Sequence, residues 1–387
     1  MTIETRILQS IDDCASTQWD GLFADDYPFL QHRFLSLLES SGSVCAKTGW
    51  EPRHLLLEQD GKPIAALPLY LKNHSWGEYV FDWSWADAYQ HNGFDYYPKL
   101  LSAVPFTPAT GPRLGLASGI EPSNVLPSLF NTIQEMAEHN NLSSWHLLFP
   151  NQLFPDQQLT TLKGAGVMQR TGVQYHWINA DYTTFSDFTD TFSSRKRKNL
   201  NRERRSVAQQ QLNIQRLTGE NITPDWWEFF YLMYQRTYLK RNGTGGYLTE
   251  AFFQQLGQVM GDQLMMAVAQ DEDGHKIAAA LFFYDSKTLY GRYWGCIREC
   301  DSLHFELCYY QGIEFAIEHG LSRFDAGAQG EHKIKRGFEP VETRSFHWIK
   351  HPEFSAAIRR FLTHERQHIG RYITEATQQL PYKSDKQ

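Results

Sequence analysis

The segment from Arg323 to Phe338 reads RFDAGAQGEHKIKRGF and concentrates side chains that exchange protons or hold anions. Asp325 follows a short strand, and the carboxyl ends of strands are where open α/β sheets place ligands. We therefore take Asp325 as the first candidate for a general base. His332 titrates near neutral pH and is a second candidate. The alternatives are a carboxylate that only pairs with Lys335 or Arg336, and a surface histidine.

Further polar residues of this region are predicted substrate contacts. Gly327 and Gly330 permit positive φ angles and a close approach of a ligand, and the neighbouring cations favour an anion. Glu306, near the start of the preceding helix, is a third catalytic candidate, although it could equally complement the helix dipole. A solvated charged turn is the alternative for the whole segment. The predicted contacts here are His304, Gln329, Glu331, Lys333, Lys335 and Arg336.

The strand-like stretch TLYGRYWGC, from Thr288 to Cys296, adds two more candidates. Side chains alternate between the faces of a strand, so Arg292 and Trp294 should share one face and Tyr293 should lie on the other. An arginine beside a tryptophan can form a cation–π pair or recognise a carboxylate. A packed rim of the sheet is the alternative interpretation.

A strongly basic stretch, SSRKRKNLNRERR, begins at Ser193. We predict a helix over residues 193–208, because Ser193 or Ser194 can cap it and Leu200 and Val207 form an apolar stripe. Its cationic face would bind tRNA phosphates, a diphosphate-linked lipid precursor, a CoA-type donor or an anionic membrane surface. A solvated basic face is the alternative. The predicted anion contacts are Arg195, Lys196, Arg197, Lys198, Arg202, Arg204 and Arg205.

A second candidate site lies in the aromatic segment from Phe81 to Lys99. It mixes aromatic residues, too many for a short solvent loop, with polar residues that suit a core poorly. Such a lining fits a sugar, a peptide or an aromatic substrate. The alternative is an ordered loop that fills the space between two domains. The predicted contacts are Trp83, Trp85, Asp87, Tyr89 and His91.

The elements around these residues form a repeated pattern. Hairpins that turn at Asp60-Gly61 and at Asp273-Gly274 are each followed by a helix and a strand, which indicates a duplicated α+β unit. A helix from His304 to Gly320 and a strand from Ser322 to Asp325 precede the first site. The other predicted elements are a mixed helical region through Leu38, helices over 124–140, 226–240 and 250–260 and near Asp156 to Lys163, and strands over 100–106, 145–150, 175–179 and 212–217.

Composition narrows the class of protein. The 387 residues are enough for two or three domains, and 41% are hydrophobic. The N-terminus lacks a secretory pattern and no apolar run is long enough to span a bilayer, so we expect a cytoplasmic protein. The five cysteines have no paired spacing, which signals neither a disulfide framework nor a metal site. A net charge of −7 argues against a surface that is basic throughout.

Several segments resemble the FemAB-like family of peptidoglycan biosynthesis or recognition proteins, which are related to FemAB peptidyltransferases. The resemblance covers nearly the whole chain and implies an α+β fold of two tandem GNAT-like domains, each with a mixed, mostly antiparallel sheet flanked by helices. We place the domains at 1–182 and 183–387, the second containing the basic helix and a C-terminal helix. The segments that carry the resemblance are 69–89, 96–114, 193–205, 288–296, 303–311 and 327–338.

The resemblance also implies an N-acyltransferase that moves an acyl or aminoacyl group to an amine, with a peptidoglycan precursor as a candidate acceptor. In a GNAT-like domain two adjacent strands diverge, and the acyl donor lies in the gap between them. The donor would be aminoacyl-tRNA or acyl-CoA, with no tightly bound cofactor and no metal. The segment from Gly295 to Glu306 lacks the glycine-rich pyrophosphate loop of acetyl-CoA enzymes, which disfavours CoA.

Two alternatives to this function stay open. One is an acyl-CoA-dependent enzyme that acts on a small molecule or a protein amine. The other is a non-catalytic module that recognises a cell-wall precursor or RNA. Peripheral membrane contact is compatible with either.

Overall fold

The computed structural model describes residues 3–23, 26–151, 164–328 and 330–383. They form two compact units, one of residues 1–172 and 342–370 and one of residues 173–341 and 371–387. This differs from the contiguous division at 182 and 183, because residues 345–349 pair with the strand at 144–148 and so belong to the first unit. The helix expected near Asp156 to Lys163 and the site residue Gln329 lie outside the described residues.

The first unit contains two sheets with helices packed on them. One sheet has the order β1-β3-β4-β7 and the other includes the run β15-β8-β6-β5-β2, in which β15 is Glu339–Ile349. The elements up to β9 are β1 (Ile3–Leu8), α1 (Ser16–Asp20), α2 (His32–Ser40), β2 (Trp50–Pro52), β3 (His54–Gln59), β4 (Lys62–Leu67), β5 (Tyr70–Lys72), α3 (Trp83–His91), β6 (Lys99–Ser102), β7 (Gly115–Leu116), α4 (Pro122–His139), β8 (Ser144–Leu148) and β9 (Met168–Ile178).

The second unit has the strand order β10-β11-β12-β13-β14-β9. The β13 and β14 pair is parallel and the other pairs are antiparallel. The remaining elements of the chain are α5 (Phe185–Asp190), α6 (Ser194–Ala208), β10 (Asn213–Thr218), α7 (Pro224–Asn242), α8 (Glu250–Met260), β11 (Leu264–Gln270), β12 (Lys276–Tyr284), β13 (Thr288–Cys296), α9 (Leu303–Phe305), a π-helical turn (Glu306–Tyr310), α10 (Gln311–Glu318), β14 (Arg323–Asp325), a 3-10 turn (Glu331–Arg336), β15 (Glu339–Ile349) and α11 (Pro352–Thr377).

Most elements agree with the sequence analysis, and two differ. The first hairpin turns at Asp60 and Gly61, both with positive φ, as the Asp-Gly pair predicts. The expected helical start is wrong in part, because β1 precedes the helices and pairs with β3 along its whole length. The aromatic loop is also wrong in part, since it contains α3. Trp85 and Tyr89 lie four residues apart and both are buried, which gives that helix a core face.

Each unit has its own apolar core. In the first, α4 packs on the sheets and buries Leu129 beside Trp145 of β8. In the second, Trp177 of β9 is fully buried together with Phe324 of β14 and Phe338. The core of the second unit therefore holds the strands that lead into the first candidate site.

None of the helices in the described ranges combines the length and the low charge that crossing a bilayer requires.

Gly295 of β13 allows α7 to approach the sheet closely. A Cβ placed there would lie 2.5 Å from Cβ of Met233 and 2.6 Å from its backbone. We expect Gly295→Ala to reduce the free energy of unfolding by about 2 kcal/mol through overpacking. Gly370→Ala is the matched control, because a Cβ at Gly370 meets nothing within 4 Å and alanine favours the helix. Urea unfolding measures both, and equal effects of the two changes would contradict the close approach.

Candidate active site

The first candidate site lies where β13 and β14 stop pairing. The two strands pair over three residues only, from Thr288 opposite Arg323 to Tyr290 opposite Asp325. β13 then continues to Cys296, and its residues from Gly291 to Trp294 are partly exposed. The resemblance implied an acyl donor held between two adjacent strands, so the end of the β13–β14 pairing is the candidate position for it.

Asp325 is the last residue of β14 and is 2% exposed. Its Oδ1 accepts a hydrogen bond from the backbone N–H of Gly327 at 2.9 Å. Its Oδ2 lies 3.5 Å from Nε2 of His176 and has no hydrogen-bond partner among the described residues. Asp325 does not pair with Lys335 or Arg336, which was the alternative raised from the sequence. It is placed to hold the turn that follows β14 and keeps one oxygen uncommitted.

His176 of β9 is a neighbour that the sequence analysis missed. Its ring is buried, and burial lowers the pKa of its imidazole to about 4 although Asp325 opposes that shift. Gln174 lies two residues earlier on β9, with its Oε1 3.3 Å from Nε2 of His176. The alternation of Gln174 and His176 with the aromatic Tyr175 and Trp177 was the available signal, because residues two apart on a strand share one face.

Lys333 is also buried, whereas the sequence predicted an accessible substrate contact. Its Nζ donates to the carbonyl oxygen of Gly327 at 2.7 Å. Burial lowers the pKa of its ammonium group to about 8, with Asp325 acting in the opposite direction. Lys333 therefore fastens the same turn that Asp325 caps.

His332 and His304 lie together, with ring centroids 6.1 Å apart. Nε2 of His332 is 2.7 Å from the hydroxyl of Tyr309. Partial loss of solvent around its ring, reinforced by Arg336, lowers the pKa of His332 to about 4, and desolvation together with His332 lowers the pKa of His304 to about 3. Both rings are neutral at pH 7, and such low pKa values make them weak proton acceptors.

The expected pair of Arg292 and Trp294 is not formed. A bulge in β13 shifts the register between Gly291 and Tyr293, so strict alternation does not hold here. The guanidinium of Arg292 lies 5.0 Å from the ring of Tyr293. The ring of Trp294 instead packs edge-on against His304 at 5.2 Å.

Glu306 is paired with other side chains of the described part of the chain. It is 3% exposed and receives two hydrogen bonds from Arg204, at 2.9 and 3.1 Å. Gln311 donates a third at 2.8 Å, and Arg204 also reaches Glu314 at 2.6 Å. Arg204 is therefore not available to bind an anion on the predicted face, and Glu306 is already paired within the protein.

Arg336 is held in the same way. It makes a two-pronged contact with Glu203 of α6 at 2.7 and 3.1 Å and donates to the carbonyl of His332 at 2.8 Å. Its guanidinium stacks 3.3 Å from the centroid of Phe305. The hydroxyl of Tyr310 also donates to Glu203. Arg336 thus anchors the 3-10 turn to α6.

A groove of about 420 Å³ lies between α6 and this turn. The one carboxylate that lines it within the described ranges, Glu203, is already compensated by Arg336. The other cations of the groove have neither a hydrogen bond nor an ion pair from their side chains to a described residue, so the groove has an excess of positive charge. Its lining consists of Arg195, Lys196, Asn199, Leu200, Arg202, Glu203, Tyr310, Lys335 and Arg336.

The structure therefore divides the seven predicted cations of α6. Arg195, Lys196 and Arg202 line the groove. Arg197 pairs with Asp190 at 2.6 Å. Lys198 and Arg205 are exposed but do not line the groove. The helix begins at Ser194 as expected, although the Ser193 side chain makes no capping hydrogen bond.

The aromatic segment is also divided. Trp85 and Tyr89 are 4% and 3% exposed and belong to a core cluster, so they cannot line a surface site in this conformation. Trp83 is partly exposed, and Asp87 and His91 are exposed on α3. Outside this segment, Glu331 is exposed and accepts a hydrogen bond from Tyr372 at 2.7 Å.

Removing Arg204 should affect stability more than removing Arg195. Arg204→Met leaves the buried Glu306 carboxylate without its two-pronged partner, and we expect a loss of about 3 kcal/mol in the free energy of unfolding. Arg195→Met on the exposed face should change it by less than about 0.5 kcal/mol. Guanidinium unfolding compares the two. Equal stabilities would mean that the Arg204 pairs contribute nothing net.

Acid should destabilise the second unit through His304. Its pKa is about 3 in the folded protein against 6.5 ordinarily, so the unfolded chain binds a proton first as pH falls. Stability is therefore complete above pH 6.5 and decreases as pH falls towards 3. His304→Gln should flatten this decrease when unfolding is measured at several pH values. An unchanged dependence of stability on pH in the variant would show that His304 does not cause the acid destabilisation.

Comparisons with known proteins agree with the fold. The chain resembles the crystal structure of FemX with a TM-score of 0.55 and 12% identity, covering 92% of this chain and 100% of that one. It resembles a tandem GNAT protein from the clavulanic acid biosynthesis pathway with a TM-score of 0.50 and 12% identity, covering 91% and 99%. A third likeness, with a TM-score of 0.52 and 10% identity over 92% and 97%, is to the C-terminal domain of a putative lysylphosphatidylglycerol synthetase from Agrobacterium fabrum.

These likenesses confirm the expected α+β architecture of tandem GNAT-like domains. No curated protein matches the chain. The family model of the FemAB-like proteins, described as peptidoglycan biosynthesis or recognition, matches residues 10–384. With nearly its whole length matched, this chain belongs to the FemAB-like family.

Proposed function

We propose that this protein is an N-acyltransferase that moves an acyl or aminoacyl group from an anionic donor to an amine. The observation that carries the proposal is the groove along α6, where the side chains of Arg195, Lys196, Arg202 and Lys335 form neither a hydrogen bond nor an ion pair with any described residue. Lining a groove with like charges is unfavourable without an anion to compensate them. Membership of a family of peptidoglycan biosynthesis or recognition supports the same class of function.

The dimensions of the groove favour a donor with several phosphates. Arg195 and Arg202 are seven residues apart on α6, which places their Cα atoms about 10 Å apart along the helix. Lys335 adds a charge from the facing turn. Cations spread in this way contact successive phosphates of a nucleic acid better than one isolated phosphate. We therefore propose aminoacyl-tRNA as the donor and keep acyl-CoA as the second candidate.

The transfer step would form an amide bond between the acceptor nitrogen and the donor carbonyl carbon, while the donor's ester or thioester bond breaks. The leaving group departs as the hydroxyl of tRNA or the thiol of CoA after it takes up a proton. The acceptor amine must lose a proton in the process. In our proposal this proton goes towards Asp325, whose Oδ2 has no hydrogen bond to a described residue. Nearby His304 and His332 are weaker candidates because their pKa values are about 3 and 4. A peptidoglycan precursor is the proposed acceptor, in keeping with the family.

A binding experiment tests the donor. Uncharged tRNA should bind the protein with an affinity that falls with salt. Changing Arg195, Lys196 and Arg202 to Gln should weaken binding and reduce the salt slope by about 0.9 for each phosphate that the variant no longer neutralises. Fluorescence anisotropy at two salt concentrations gives both quantities.

The matched control for this experiment changes Lys198 and Arg205 to Gln on the same helix, outside the groove. We expect it to bind tRNA nearly as tightly as the unchanged protein. Equal weakening in the two variants would exclude the groove as the binding site. Saturable acyl-CoA binding without tRNA binding would favour the second donor.

Asp325→Asn separates an enzyme from a recognition module. If Asp325 accepts the proton, the variant should lose most turnover, about a hundredfold or more, while retaining donor binding. Its melting temperature should change little, since an amide oxygen can still accept from Gly327. Amide formation on a cell-wall precursor, followed by mass spectrometry, measures turnover. Full activity in the variant would reject this role for Asp325.

A further inference from the structure

The first unit presents an aromatic surface that the proposed transfer reaction does not use. Trp76, in the connection between β5 and α3, is 53% exposed, and Phe81 in the same connection is 54% exposed. The Trp76 ring packs against Trp83 of α3, with centroids 4.9 Å apart and planes tilted by 58°. Large exposed aromatic residues that cluster are typical of binding surfaces, whereas single exposed apolar residues are ordinary.

Polar groups continue this surface along α3. Trp83, Asp87 and His91 are four residues apart, so they follow one another on one face of the helix over about 12 Å. Asp87 and His91 are exposed. The Nδ1–H of His91 donates to the backbone carbonyl of Asp87 at 2.7 Å, which leaves Nε2 as an acceptor facing away from that bond. We call Trp76, Trp83, Asp87 and His91 the α3 strip.

A buried ion cluster fixes the backbone beneath the strip. The ammonium of Lys99, which is fully buried, donates to Ser75 at 2.8 Å, to Glu78 at 2.9 Å and to Asp82 at 2.5 Å. Tyr96 adds a hydrogen bond to Asp82 at 2.6 Å. Lys99 thus ties residues on both sides of Trp76 in the connection. A ligand meeting a fixed aromatic surface loses less conformational entropy on binding.

A second tie acts on Phe81. Arg170 donates to its backbone carbonyl at 2.7 Å, and the same guanidinium forms a two-pronged pair with Glu365 at 2.8 and 2.9 Å. The exposed side chains of the connection therefore project from a backbone that is held at several points. Phe81 is thus exposed although its backbone is held in place.

The charge of the strip limits the kind of ligand. The sequence of α3, WSWADAYQH, contains no lysine or arginine. A phosphate-rich ligand such as a nucleic acid or an anionic lipid headgroup would meet the Asp87 carboxylate without a compensating cation from this helix. A neutral ligand fits this surface, with apolar faces for the two indoles and hydroxyl donors for Asp87 and His91.

We propose that the α3 strip binds a neutral oligosaccharide. The C–H face of one sugar ring would stack on Trp76 and contact Trp83, and hydroxyl groups of the following ring would donate to the Asp87 carboxylate and to Nε2 of His91. The strip is long enough for a short oligosaccharide and not only for one ring. This site is independent of the proposed transfer reaction, which uses residues of the second unit.

The test is a calorimetric titration of the full chain with chitotetraose and with cellotetraose. We expect saturable binding of at least one of them, weakened about tenfold by Trp76→Ala and by Asp87→Ala, which corresponds to about 1.4 kcal/mol for each change. Phe361→Ala is the matched control, because Phe361 is 46% exposed on α11 and is not part of the strip. Circular dichroism checks that each variant is folded.

Three outcomes would overturn the proposal. The first is a lack of saturable binding of either sugar by the folded protein. The second is sugar binding that both Trp76→Ala and Trp83→Ala leave intact. The third is binding to phosphatidylcholine vesicles that depends on Trp76 while neither sugar binds, which would assign the aromatic surface to a lipid interface instead. The groove variants leave the α3 strip unchanged, and a protein that fails to bind tRNA can still bind the sugar, so the two proposals fail separately.

Discussion

The arrangement of the candidate active site depends on two arginine–glutamate pairs. Arg204 of α6 holds Glu306 of the π-helical turn, and Arg336 of the 3-10 turn holds Glu203 of α6. Both contacts are two-pronged and at least partly buried, so their geometry is fixed as well as their charge. Together they position α6 against the π-helical turn and the 3-10 turn.

These pairs also explain why the groove is electropositive. α6 is rich in cations, yet Arg204 and Arg197 pair with carboxylates of their own unit, and Arg336 neutralises Glu203. The cations of α6 that remain unpaired with a described residue in the groove are Arg195, Lys196 and Arg202, all on one side of the helix. The packing of Leu200 and Val207, both 3% exposed, sets the rotation of α6 and hence the choice of exposed cations.

Burial distinguishes the two candidate regions chemically. Around the end of β14, loss of solvent leaves His176, His304 and His332 with low pKa values and lowers that of Lys333 to about 8, so the histidines are neutral at pH 7. In the first unit, burial of Lys99 with Glu78 and Asp82 serves to fix a backbone connection. Burial thus changes proton affinity around the end of β14, whereas in the first unit it fixes the backbone that carries the exposed Trp76.

Elements with local signals could be predicted from the amino-acid sequence alone. The two Asp-Gly hairpins, the basic helix over 194–208 and the strand ending at Asp325 follow from turn chemistry and periodicity within a few residues. Which polar residues are free depends instead on the folded chain. Glu306 and Arg204 are 102 residues apart, and Arg336 and Glu203 are 133 apart. Local sequence patterns therefore cannot predict these two ion pairs. Likewise, Trp85 and Tyr89 are buried while Trp83 is partly exposed, because tertiary packing determines which face of α3 is buried.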